Sequence, residues 1–276
     1  MIKTALSLLL AAAGPVAPAP PVGDQAVTFM LAPGVESRYR LFVPEDWRPG
    51  DHWPLVVMLH GGGANEDGPF DRDPAFRDRL FAAARAHHYI LLSPRGHKGG
   101  WGAQLLVEGS GLPPRGTYRW PKPGALTGPP PKLAPRSQRD QALAHQDVFA
   151  AIGRIRTAYG TLAHPYLMGN SMGGQGTLHL AQDQPRTWCA LSPSDGPFDP
   201  SSYPYARAKG TRAALFVHGD NDTVAPLESM ADMAGRFDRA GIPTRLMIVA
   251  GGGHSDSWQR AMPAIFDFFA RHPCDK

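Results

Sequence analysis

The chain has 276 residues, of which 42% are hydrophobic, with 28 Lys and Arg against 24 Asp and Glu. So small and scattered a basic excess argues against a nucleic-acid-binding surface. No stretch approaches the roughly 20 consecutive apolar residues of a membrane span, and the length suits one large α/β domain or two small ones.

The first residues differ from everything after them. "MIK" is a short basic start, "TALSLLLAAAG" is apolar but too short to span a membrane, and Ala-x-Ala pairs follow at Ala11/Ala13 and Ala17/Ala19. This is the layout of a secretory signal peptide, so residues 1–20 are set aside from the fold and the protein is expected to be secreted or periplasmic. In such a compartment Cys189 and Cys274 can form one bridge. The alternative is a buried thiol at Cys189 and an incidental one near the end.

Beyond the leader, "QAVTFML" and "SRYRLFVP" read as strands around a turn at Pro33-Gly34. "PLVVMLH" is a continuous apolar run, as expected of a strand buried on both faces. A helix is expected over 74–87, then a strand in "YILLSP". From Ser137, a candidate N-cap, to Tyr159, the residues Val148, Ile152 and Ile155 recur at helical spacing. "PYLMG", "TWCALSP", "AALFVHG" and "TRLMIVAGGG" follow as strands. Leu227, Met230, Met233 and Phe237 form one helical stripe, and Trp258, Met262, Ile265 and Phe269 a last one. Such alternation implies a mainly parallel sheet with helices on both faces. Residues 97–136 break the pattern. They are Pro/Gly-rich, without periodicity, and carry Trp101, Tyr118 and Trp120. A loop of this length is usually functional or disordered, and the aromatics favour an ordered cap or binding loop.

In an open parallel sheet, groups at the carboxyl ends of strands converge on one crevice. Here "VVMLHGGG" ends in glycines, "YLMGNSMGG" in Ser171, "LFVHGDND" in Asp220 and Asp222, and "MIVAGGGH" in His254. A serine hydroxyl needs a general base, which imidazole supplies, and the imidazole needs a carboxylate to hold its tautomer. An oxyanion needs preorganised N–H donors. G-x-S-x-G in "GNSMG", preceded by "HGGG" and followed in order by Asp and His, meets all three needs, with the glycines allowing a sharp strand-to-helix turn. Two aspartates, Asp220 and Asp222, stand two residues apart on the turn after their strand, and either could supply the carboxylate. Other candidates read as structural: His87-His88 as a surface pair, His218 as a packed or locally bonded ring, Asp195 as a turn residue. No zinc or haem spacing is present.

Over residues 35–272 the chain resembles the α/β-hydrolase family. "YRLFVPEDWRPGDHWPLVVMLHGGG", "GNSMGGQGT", "FVHGDNDTVAP" and "GGGHSDSW" are similar to the secreted esterases related to polyhydroxybutyrate depolymerases and feruloyl esterases. The resemblance implies a single α/β-hydrolase domain over residues 21–276, with an insertion at about 97–136 that the family core does not contain. It implies hydrolysis of small or polymer-derived carboxylic esters through an acyl-enzyme, with neither metal nor organic cofactor. It assigns Ser171 as nucleophile, His254 as base and Asp222 as orienting acid. The N–H groups of Gly62 and Met172 are the implied oxyanion donors, with His60 shaping their loop. Trp101, Tyr118 and Trp120 are candidate substrate contacts, or equally residues that only pin the long loop. A serine peptidase or an acyltransferase on the same fold is the alternative.

Overall fold

The computed structural model describes residues 19–71, 73–98, 100–102, 137–196, 200–201 and 203–274. Nearly all of the expected leader, most of the long insertion, and with it Tyr118 and Trp120, lie outside the described residues.

Eight strands form one sheet in the order β1-β2-β4-β3-β5-β6-β7-β8. Strands β1 (Gly23–Ala32) and β2 (Val35–Val43) make an antiparallel hairpin about Pro33-Gly34, with Gly34 at φ 71°. The hairpin joins the sheet by antiparallel pairing of β2 with β4 (Ile90–Pro94). The remaining strands are parallel: β3 (Leu55–Leu59), β5 (Tyr166–Asn170), β6 (Leu191–Ser194), β7 (Ala214–Gly219) and β8 (Thr244–Val249). Every residue of β3 is buried, as its continuous apolar run requires of a strand covered on both faces.

The helices cover both faces. Helix α2 (Pro74–His87) starts where Asp73 accepts hydrogen bonds from the N–H groups of Ala75 and Phe76, with Pro74 ready for the first turn. It ends on His88 in the left-handed region. Helix α3 (Gln138–Tyr159) is capped by Ser137, whose Oγ accepts from the Asp140 N–H at 3.0 Å, and stops at left-handed Gly160. Helices α3, α4 (Met172–Asp183) and α5 (Leu227–Arg239) pack Val148, Ile152, Leu178, Met233 and Phe237 against one face of the sheet. On the other face, α2 and α7 (Met262–Arg271) contribute Phe76, Leu80, Ile265 and Phe269. The stripe expected to be one last helix is two, because α6 (Ser257–Arg260) ends at Ala261 and α7 begins with Pro263 in its first turn. A proline cannot donate into a preceding turn, so the helix restarts there. A four-residue helix, α1 (Gly68–Asp71), was not foreseen in the sequence.

Cys189, just before β6, and Cys274, after α7, are joined by a disulfide across 85 residues of chain. Of the two readings open in the sequence, the bridge is the one formed. No helix among the described residues is long and apolar enough to cross a membrane.

Candidate active site

Strand β5 delivers the chain to Ser171 and α4 carries it away. Between them Ser171 adopts φ 57°, ψ −116°, a conformation few non-glycine residues occupy and one that costs about 1–3 kcal/mol. The flanking glycines make the bend physically possible. A Cβ on Gly169 would collide with the Gly173 carbonyl, and one on Gly173 with the Leu59 carbonyl of β3. On Gly174 it would lie 2.6 Å from the Ser194 oxygen. Helix α4 thus starts pressed against three strand ends, and only hydrogen side chains fit. The elbow is held by the Ser171 N–H, which donates to the Ser194 carbonyl at 2.8 Å.

His254, on the loop after β8, places Nε2 2.8 Å from Ser171 Oγ. Its Nδ1 lies 2.8 Å from Asp222 Oδ2. A carboxylate can only accept, so Nδ1 carries the proton and Nε2 is left to accept the serine O–H. Asp222 is buried on the turn after β7, and its Oδ1 accepts the N–H groups of Val224 (2.7 Å) and Ala225 (3.0 Å). Burial alone would raise its pKa, but hydrogen bonds from His254, Ala225 and Val224 outweigh it and hold the carboxyl below its ordinary value. Asp220 does something else: it is exposed and its Oδ1 accepts the Gly251 N–H at 2.6 Å, tying the β7 turn to the β8 turn.

The loop after β3 brings Gly61 against the elbow, where an added Cβ would lie 3.5 Å from Ser171 Cβ. A Cβ on Gly62 would meet nothing within 4 Å, so that residue borders open space. Met172 opens α4 directly after Ser171. His60 anchors the loop: Nε2 lies 3.0 Å from the Arg95 carbonyl and Nδ1 2.9 Å from the Gly61 carbonyl. Together these elements border a cleft of about 160 Å³, walled by Met58, Ala64, Pro69, Met168, Trp258 and Gln259, with Ser171 and His254 at its edge.

Of the two readings of Trp101, substrate contact or a pin for the loop, the second fits: Trp101 is fully buried, and its indole N–H donates to the His60 carbonyl at 3.2 Å. Gly96 and Gly176 make room for the ring, since a Cβ on either would stand 2.7 or 2.5 Å from it. Trp101 therefore supports the His60 loop from below. Asp195, read as a turn residue, does lie at a bend after β6, but it is fully buried, 2.9 Å from Asn170 Nδ2. His218 behaves as read. Its Nε2 lies 3.1 Å from the Ala225 carbonyl and 3.3 Å from Asp222 Oδ2, and burial lowers its pKa. His87 and His88 lie 3.5 and 3.6 Å from Asp267 and Asp46 near the end of α2.

Asp195, His218 and Asp222 are, among the described residues, a group of metal-ligating types whose atoms lie within 4.8 Å of one another. The oxygens of both aspartates and Nε2 of His218 already engage protein groups, so the donor set is poorly suited to an ion.

No protein-family model matches the chain, and no curated protein matches it in sequence. Solved structures do resemble it. A thermostable esterase superposes with TM-score 0.59 at 23% identity over 90% of this chain, which spans only 62% of that protein's length. S-formylglutathione hydrolase from Staphylococcus aureus gives TM-score 0.63 at 13% identity, covering 93% of this chain and 100% of its own. A ferulic acid esterase from Anaeromyces mucronatus, solved with ferulic acid, gives 0.59 at 16%, covering 90% of each chain. At these identities the likeness concerns the fold alone.

Proposed function

We propose that this chain is a serine hydrolase that cleaves carboxylic esters through an acyl-enzyme intermediate. The observation that carries the reading is the unbroken relay from Ser171 Oγ through His254 to Asp222, with both contacts at 2.8 Å, at the edge of an open cleft. His254 takes the Ser171 proton as Oγ attacks the ester carbonyl carbon. Asp222 holds the imidazole and stabilises its charged form. The oxyanion of the tetrahedral intermediate is stabilised by the Gly62 and Met172 N–H groups. Collapse expels the alcohol, which receives its proton from His254, and leaves the acyl group on Ser171. Water, activated by the same imidazole, then releases the acid. These five residues suffice for this chemistry, without a metal or organic cofactor.

The substrate is read as a small or polymer-derived ester, and the domain as residues 21–276. Export to the periplasm or the medium is inferred from the leader layout, and the Cys189–Cys274 bridge supports it.

The test is turnover of nitrophenyl esters together with covalent labelling by a fluorophosphonate. Ser171→Ala is expected to lose about four to six orders of magnitude in turnover and all labelling. Equal labelling of parent and variant would overturn the assignment. A peptide anilide and added alcohol acceptors, run beside the esters, separate the peptidase and acyltransferase alternatives.

A further inference from the structure

Asp195 follows β6, between the strand that ends at the nucleophile and the strand that leads to Asp222. Its backbone is left-handed, at φ 47°, and its side chain is fully buried. Three donors converge on its carboxylate. Oδ1 accepts the Gly219 N–H at 3.1 Å. Oδ2 accepts Asn170 Nδ2 at 2.9 Å and also the Ser257 hydroxyl. Asn170 uses the same amide nitrogen to donate to the His254 carbonyl at 3.1 Å. The loop carrying His254 is thereby held twice: at residue 254 by the neighbour of the nucleophile, and at residue 257 by Asp195.

We propose that Asp195 is a positioning residue for the Ser171–His254 pair, fixing the elbow and the histidine loop against each other through Asn170 and Ser257. The proposal rests on the catalytic reading above. Ser171 and His254 stand on segments 83 residues apart in sequence, and their 2.8 Å contact survives only if both loops keep register. Side chains that hold such registry matter because displacement of about 1 Å can cost a hundredfold in rate. The position calls for a carboxylate. With only donors facing it, an amide would turn its NH2 toward another donor and lose a bond.

The site also has a titration signature. Burial pushes the Asp195 carboxyl up to about 7, against the Ser257 and Gly219 hydrogen bonds; the Asp222 charge adds to the rise and His254 opposes it. The titratable groups facing it are His218, with Nδ1 4.0 Å away, Asp222 and His254.

The experiment measures kcat, KM and the pH profile of kcat for the wild type, Asp195→Asn and Ser257→Ala, each normalised to sites titrated with a fluorophosphonate. Asp195→Asn is expected to lose about 10- to 100-fold in kcat with KM within about twofold. Its acid limb moves to lower pH, because the ionisation of Asp195 at about 7 no longer contributes to it. Ser257→Ala should lose several-fold and move the limb to higher pH, because Asp195 loses a donor that favours its ionised form. Opposite shifts are not produced by loosened packing. Unchanged kcat per titrated site, or a loss without movement of the limb, overturns the proposal. If Asp195→Asn does not fold, Ser257→Ala decides by the same two readouts. A wild type that takes up no label at Ser171 instead defeats the catalytic reading.

Discussion

Asp222 Oδ2 lies 2.8 Å from His254 Nδ1, while Asp220, two residues earlier, holds the Gly251 N–H at 2.6 Å. Two neighbouring carboxylates on one turn thus have separate tasks. Asp222→Asn leaves an amide that cannot accept at both faces, so His254 loses its tautomer and its charge partner. Turnover is expected to fall about 10⁴-fold. Asp220→Asn only loosens the pairing of two loops and should cost about tenfold. Turnover at saturating substrate, with folding followed by circular dichroism, compares them. A dead Asp220→Asn beside a nearly normal Asp222→Asn reverses the assignment.

Trp101 shows how a residue away from the cleft can control it. Its N–H bond to the His60 carbonyl and its edge-on ring contact with His60, 4.8 Å between centroids, support the loop that continues into Gly61 and Gly62. Trp101→Phe keeps an aromatic filler between Gly96 and Gly176 but deletes the donor. A stability loss of about 1–3 kcal/mol is expected from the orphaned carbonyl. Turnover should fall more than KM rises, because in the proposed mechanism the loop bears on the oxyanion rather than on the ground state. A rise in KM at constant kcat would place Trp101 in substrate binding after all.

The elements most legible in the sequence were those with local punctuation. Asp73-Pro74 and Ser137 mark the starts of α2 and α3, and the strand runs announce a two-sided sheet through their unbroken apolar character. Ser171, Asp222 and His254 were legible because each lies on the connection that follows a strand of that sheet, and topology sends such ends to one crevice. Asp195 also follows a strand, yet "SPSD" has the composition of a surface turn, and nothing local says that it is buried. Its position at the end of β6, among the other strand ends, was the available signal. Trp101 stayed open between two readings for the opposite reason: an aromatic in a Gly-rich segment can face a ligand or pin its own loop. Its burial depends on Gly176, 75 positions away in the chain, which no local pattern connects to it.

A pH effect on stability should be visible at His179, a buried residue of α4 whose two ring nitrogens have no hydrogen-bond partner among the described residues. Burial, reinforced by His145 and opposed by Asp183, lowers its pKa to about 4. The folded value lies below the unfolded one, so stability is fully present above about pH 6.5 and is lost as pH falls toward 4. Asp195 runs the other way. Its folded value of about 7 is raised, so its ionisation weakens the fold as pH rises through 7 and its protonation strengthens the fold as pH falls. Between pH 7 and 5 each effect is worth about 2 kcal/mol and they nearly cancel. His179→Leu should therefore gain about 2 kcal/mol relative to wild type over that interval in urea unfolding. Parallel stability curves for the two proteins would refute this account.

The cleft sets the last expectation, which concerns the size of the ester. Its volume of about 160 Å³ is close to the roughly 150 Å³ that accommodates a single benzene ring, so one short chain or one ring fits beside Ser171. Trp258 forms one wall, braced edge-on by Phe76 at 5.0 Å between ring centroids, and stands four residues after His254. Across a series of nitrophenyl esters, kcat/KM should peak between acetate and butyrate and fall as the chain outgrows the cleft. Trp258→Ala removes the indole and enlarges the cleft at that wall. One methylene in a fitted pocket is worth about 10-fold or more, so the ratio of octanoate to acetate kcat/KM should rise at least tenfold in the variant. Its effect on the chemical step should be small, since the indole is not part of the hydrogen-bonded relay of Ser171, His254 and Asp222. A wild type that prefers octanoate, or a variant with an unchanged ratio, would mean that the substrate lies elsewhere along the sheet edge and that Trp258 only packs against Phe76.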